Sequence, residues 1–173
     1  MRFLCTLLFC STASWAQAEL TFDPDKITAT AGVYCDIGSV GKNEAPGTDV
    51  GEIDLLEYTP DFQWDTMIVP AQMGLSFGIR TQAPEGVAYQ NVRIRLSHPA
   101  FAETGTTEQV YITSIDQLNI NAYSFDLPRE LTKGTWVFQA EWQDQVLYRA
   151  EFLVVDPAQM PQIANGCGTG MMS

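Results

Sequence analysis

A single histidine, His98, serves a chain of 173 residues. That scarcity excludes much chemistry. A protein zinc site draws three or four His, Cys or carboxylate ligands, usually with close pairs in sequence, and one histidine with two distant cysteines, Cys35 and Cys167, cannot make that pattern. A Ser-His-Asp triad would have His98 as its one candidate base, without a nucleophile elbow around Ser97 or Ser124. His98 precedes Pro99 at the end of a strand-like run and reads as a strand-end residue hydrogen-bonded to a loop. Bases are scarce too, with 9 Lys and Arg against 21 Asp and Glu. Such a balance repels nucleic acid and anionic lipid. The acids never form the Asp-x-Asp-x-Asp run with a distal Glu that cages calcium. With so many acids, some pair will satisfy a glycosidase spacing by chance, so that spacing carries no information. No catalytic residue, metal ligand or cofactor is assigned.

Long apolar runs are absent after the first residues. Met1-Arg2 is a short positive start, Phe3 to Phe9 is apolar except for Thr6, and Ala16-Gln17-Ala18 supplies small residues before a cut. This reads as a secretory signal peptide, residues 1–18, cleaved after Ala18, with Ser14-Trp15-Ala16 as a second possible cut. An uncleaved anchor would need roughly 20 apolar residues, about twice what is present. Cys10 follows Phe9, where a lipid-attachment motif needs a small residue. The expected location is periplasmic or secreted, with no stable membrane insertion. Cleavage removes Arg2 from the 9 bases and none of the 21 acids, giving a net charge of −13.

Cysteine is nearly absent from what remains. Cleavage leaves Cys35 and Cys167 of the four. An even pair in an oxidising compartment forms a disulfide that would staple the end of the chain to its opening strand; two free thiols, or a Cys167 held for a partner, are the alternatives.

Alternation with period two is what the chain has in abundance. Trp136, Phe138, Ala140 and Trp142 share one face of an extended segment, and Val146, Tyr148, Ala150, Phe152 and Val154 share one face of the next. The two make a closing hairpin with its turn around Gln143-Asp144-Gln145. Val92, Ile94 and Leu96 alternate with Arg93, Arg95 and Ser97 in the clearest single strand, Tyr89 to Ser97. Lys26 to Ile37 reads as a first strand after an exposed leader, Glu52 to Tyr58 as a second, and Leu75 to Arg80, Glu108 to Ile115 and Asn119 to Leu127 as others. Gly38 to Gly51 reads as a mobile loop. Phe62 to Val69 is ambiguous, and Pro70 bars a central strand there. No helix of ten or more residues is expected. One-sided strands must cover their apolar faces, so seven or eight of them predict an antiparallel two-sheet sandwich over residues 19–156, followed by a flexible tail, 157–173.

Trp136, Phe138, Trp142, Tyr148 and Phe152 read as core. Tyr58, Phe62 and Trp64 lie between strands and beside charges; exposed together they would form a recognition patch for a peptide or sugar. A bare edge strand could accept a partner's strand. Met67, Met73, Met160, Met171, Met172 and Cys167 offer soft ligands for copper, but without regular spacing.

Gly32-Val33-Tyr34, Leu75-Ser76-Phe77-Gly78-Ile79, Val92 to Leu96 with His98-Pro99, and Gly134-x-Trp136-x-Phe138 occur in an order that resembles a family of small exported bacterial proteins, domain of unknown function 3859. The similarity runs from about Ile27 to Val155. It implies a periplasmic, immunoglobulin-like sandwich and no assigned catalytic or binding residue. The expected function is a non-catalytic module that binds another cell-envelope protein. A small-molecule or soft-metal binder, using an inter-sheet cleft or the Met-Cys tail, is the alternative.

Overall fold

In the computed structural model the described residues are 18–167, so the expected signal peptide lies outside them except for Ala18. Eleven strands are present: β1 Glu19–Phe22, β2 Thr28–Cys35, β3 Gly41–Glu44, β4 Glu52–Leu55, β5 Ile68–Pro70, β6 Leu75–Gln82, β7 Tyr89–Ser97, β8 Glu108–Ile115, β9 Asn119–Ser124, β10 Gly134–Trp142 and β11 Gln145–Val155. One sheet runs β1-β11-β10-β7-β8, with β5 also on β11; the other runs β2-β6-β9. Taking β2, β6 and β9 as A, B and E, and β7, β8, β10 and β11 as C, C′, F and G, gives the two sheets of an immunoglobulin-like sandwich.

The sheets meet because their inward residues are large and apolar. Phe77 of β6 is wholly buried, with ring centroids at 5.3 Å from Phe125, 5.6 Å from Trp136, 5.9 Å from Phe138 and 5.1 Å from Phe152. Edge-to-face packing suits the aromatic quadrupole. Each such ring contributes on the order of 2 kcal/mol by leaving water. The expected hairpin β10–β11 forms around Gln143 and Asp144, whose φ of 49° and 62° suit a primed turn.

Four expectations need correction. Val146 is 48% exposed, because the register slips between Ala140 and Glu141 and places Leu147 inside instead. One extra residue reverses the phase of a strand. The leader is a strand, β1, paired antiparallel with β11. The loop expected at 38–51 contains β3, which pairs with β4 in a separate two-stranded hairpin. Within the expected flexible tail, 157–173, of which residues 168–173 lie outside the described residues, a 3-10 turn, Pro157–Gln159, and α1, Pro161–Ala164, are formed. Asp156 caps the first of these, accepting from the Ala158 N–H at 3.0 Å, and Ile163 is buried at 2% exposure. The expected Cys35–Cys167 disulfide is formed, with Cα atoms 5.4 Å apart.

Candidate functional site

The two flanks of the sandwich are built differently, and the site follows from that. At the β2 and β11 flank, residues 62–70 cross from one sheet to the other. The Val33 N–H donates to the Trp64 carbonyl at 2.9 Å, and the Leu153 N–H donates to the Met67 carbonyl at 2.9 Å, before β5 runs parallel to β11. Phe62 lies on Gly32, where a Cβ would stand 2.5 Å from its ring, and Trp64 lies on Gly166, where a Cβ would stand 2.6 Å from its ring. The anticipated patch is therefore not assembled. Only Tyr58 is exposed, at 59%, while Phe62 and Trp64 are half-buried covers over glycines. The sequence signal was the glycine itself, since an aromatic side chain can sit flat where no Cβ projects.

At the other flank, β8 and β9 each end a sheet and no strand among the described residues joins them. Side chains cross the gap instead. The Tyr111 hydroxyl donates to Asn121 Oδ1 at 3.2 Å, and Asn119 Nδ2 donates to the Ser114 carbonyl at 3.1 Å. Burial pushes the Tyr111 phenol well above its ordinary range. The β3–β4 hairpin stands across the opening, leaving a cleft of about 610 Å³ between it and β9. Gln109, Tyr111, Asn121 and Tyr123 line its inner part; Asp54, Leu55, Glu57 and Tyr58 line its outer part. Lys42 is the only base lining it.

The hairpin is tied down at its turn. The Gly47 carbonyl accepts from the Val110 N–H at 2.8 Å, and the Asp49 N–H donates to Gln109 Oε1 at 3.2 Å. The Asp49 carboxylate accepts from Thr106 Oγ1 at 2.7 Å and from Arg129 Nη2 at 2.9 Å. The Thr106 hydroxyl and the Arg129 guanidinium together hold Asp49 below the usual carboxylate range.

His98 is wired to the same turn. It is 6% exposed, stacked between Phe101 at 4.1 Å and Trp136 at 4.7 Å. Its Nδ1 is 2.9 Å from the Pro99 carbonyl, which can only accept, so Nδ1 carries the proton. Nε2 is then the acceptor for Gln109 Nε2 at 3.3 Å, consistent with Gln109 Oε1 facing the Asp49 N–H. Burial lowers the imidazole pKa, against the opposing pull of the Pro99 carbonyl and of Asp49 and Glu130. The expectation of a strand-end histidine bonded to a loop is met, and the hydroxyls of Ser97 and Ser124 are not its partners. Ser124 Oγ pairs with Ser76 Oγ at 2.7 Å.

Acids crowd the cleft. Burial raises the Asp126 carboxyl above its ordinary value, and the neighbouring Asp36, Glu130 and Asp54 raise it further. Among the described residues no three His, Cys, Asp or Glu side chains are placed to hold a metal. Cys167 is committed to its bridge and Met67 and Met160 pack against the core, so those three do not form an open soft-metal site; Met73 is 37% exposed, and Met171 and Met172 lie outside the described residues. No helix among the described residues is long and apolar enough to cross a membrane.

Sequence reasoning offered an inter-sheet cleft without placing it. Its signal was a run of polar inward residues, Asn119, Asn121 and Tyr123, in a strand otherwise placed to build core. Among solved structures, an immunoglobulin-like protein of Pseudomonas aeruginosa is 22% identical, with a TM-score of 0.49, over 82% of this chain and 100% of that one. No curated protein matches this chain. The model of the family described as "Domain of unknown function (DUF3859)" matches residues 24–154, and the chain belongs to that family.

Proposed function

We propose that this protein is an exported, non-catalytic immunoglobulin-like module that binds another cell-envelope protein through the cleft between β9 and the β3–β4 hairpin. The observation that carries the reading is the cleft itself. It leaves the sandwich unsealed between its sheets at the β8 and β9 flank, and its volume of about 610 Å³ falls within the range of binding sites. Exposed Val50, Leu55, Tyr58 and Leu118 line it and supply apolar anchors. Export is supported by the leader pattern of residues 1–18 and by the Cys35–Cys167 bond, which belongs to an oxidising compartment. The lone histidine, stacked and twice hydrogen-bonded, has no nucleophile beside it, which supports the absence of catalysis.

The test is photocrosslinking in the producing cell. A photoreactive phenylalanine at Leu55 or Tyr58 should give a discrete protein adduct, and the same group at Val146 or Ile68, exposed and not lining the cleft, should give none. Equal adducts from all four positions, or none from the cleft, would overturn the reading. The cleft volume also fits a small ligand; a stoichiometric extra mass of a few hundred daltons in native mass spectrometry, lost in Tyr111→Ala, would favour that occupant.

A further inference from the structure

The wall of the cleft formed by β9 is an unfinished ladder. The Phe125 N–H donates to the Leu75 carbonyl at 3.0 Å and its carbonyl accepts from the Gly74 N–H at 3.0 Å, so Phe125 faces β6. Pairing continues without a shift from Ser76↔Ser124 to Thr81↔Asn119. Alternation therefore turns Asn119, Asn121 and Tyr123 toward β6 and presents the N–H and C=O groups of Ile120, Ala122 and Ser124 to the far side. There they have no backbone partner among the described residues.

Natural proteins protect such an edge with lysine, proline, a bulge or a covering segment. β9 reads Asn-Ile-Asn-Ala-Tyr-Ser, with no charge, no proline and no bulge. The strands of the hairpin that stands opposite pair with each other, its turn bonds to β8 through Gly47 and Val110, and the cleft separates it from β9. The contrast with β2 is direct, because the outer edge of β2 is covered by residues 62–64.

The charge of the cleft says what belongs there. Asp54, Glu57 and Asp126 line it and form no ion pair among the described residues, whereas Lys42, the one base lining it, is paired with Glu52. Crowding of Asp126 by Asp36, Glu130 and Asp54 would be relieved by an incoming cation. A second copy of this chain, with a net charge of −12 over the full sequence, is the wrong sign.

We propose that the cleft takes an extended segment of a partner polypeptide, with lysine or arginine at alternate positions, as a fourth strand on the free edge of β9. This rests on the cleft being the binding site and adds how the partner binds and what charge it carries. Backbone bonds to Ile120, Ala122 and Ser124 would supply the register. One set of alternate side chains would enter the gap toward Gln109 and Tyr111, and the other would meet the acidic rim.

The test uses the mature protein and a capped synthetic peptide of alternating valine and lysine, about eight residues long, which covers β9 at roughly 3.3 Å per residue. Titration followed by amide NMR should move and protect Ile120, Ala122 and Ser124. The glutamate counterpart should not bind, and salt should weaken the lysine peptide. N-methylation of the peptide on alternate residues should cost at least about tenfold in one phase and little in the other, since only one phase faces β9. Ala122→Pro and Ile120→Pro, each removing an outward N–H while sparing the ladder to β6, should weaken binding similarly. Two different positions keep the test decisive if one variant misfolds. Failure of the lysine peptide to bind, equal loss in both methylation phases, or shifts away from β9 would overturn the proposal. If crosslinks from Leu55 or Tyr58 succeed while the peptide series fails, strand addition falls and the cleft remains a binding site. If both fail, both readings fall.

Discussion

The β2 and β11 flank and the β8 and β9 flank of this sandwich face the same physical problem, two sheet edges with unpaired backbone groups, and answer it in opposite ways. On the first, residues 62–70 bond to β2 and then to β11, two aromatic rings cover glycines, and a disulfide joins Cys35 to Cys167. On the second, a hairpin anchored at its turn stands off from β9 and leaves a cleft between. Sealing favours stability and standing off favours access, so the two flanks should respond differently to substitution.

The largest expected loss comes from unsealing the first flank. Replacing both Cys35 and Cys167 by alanine opens a loop with a sequence separation of 132 and should cost about 5 kcal/mol in the chain-entropy account. Chemical denaturation of the oxidised protein against the double variant measures it; a difference below about 1 kcal/mol would mean that residues 62–70 alone close that flank. Next is Gly32→Val, which must displace Phe62 and should cost roughly 1 to 3 kcal/mol. If its midpoint is unchanged, Phe62 is a loose cover, and the contrast between flanks is weaker than described.

The smallest effect belongs to the open flank and depends on pH. His98 is buried as the neutral form, so its folded pKa lies below the ordinary imidazole value of about 6.5. Its contribution is complete above about pH 6.5 and is lost as pH falls toward the folded pKa, with a slope of at most about 1.4 kcal/mol per pH unit. A protonated Nε2 would also meet the Gln109 amide as donor against donor, loosening the hairpin at Asp49. Denaturation midpoints between pH 7.5 and 5 should therefore fall more steeply in the native protein than in His98→Phe. Parallel curves would show that His98 does not govern the turn.

Much of this was legible in the residues, and the gaps have physical causes. Tyr89 to Ser97 and Glu108 to Ile115 appear with the bounds expected, because strict alternation leaves one face to bury. Val146 was misplaced because a bulge is a matter of pairing, which a single strand's pattern does not reveal. β1 and β3 were read as a leader and a loop because short edge strands carry little apolar periodicity. Trp64 and Phe62 were read as surface since the glycines beneath them, Gly166 and Gly32, are remote in sequence. The polar inward residues of β9 mark the cleft, but its width depends on how far the hairpin stands from β9, a distance that no local pattern encodes.

The pairing of β11 has a further consequence for the order in which the molecule comes into being. β1, β5 and β10 all lie against β11, yet β1 ends at Phe22 and β11 begins at Gln145. At 5 to 20 residues per second, the first strand waits roughly 6 to 25 s for its neighbour. During that wait the sheet β2-β6-β9, complete at Ser124, has all its strands, whereas the larger sheet lacks the strand on which three others lie. A fragment cut before Gln145 would leave β1 and β5 without their strand partner and β10 with β7 alone. The larger sheet therefore closes only after its last strand arrives.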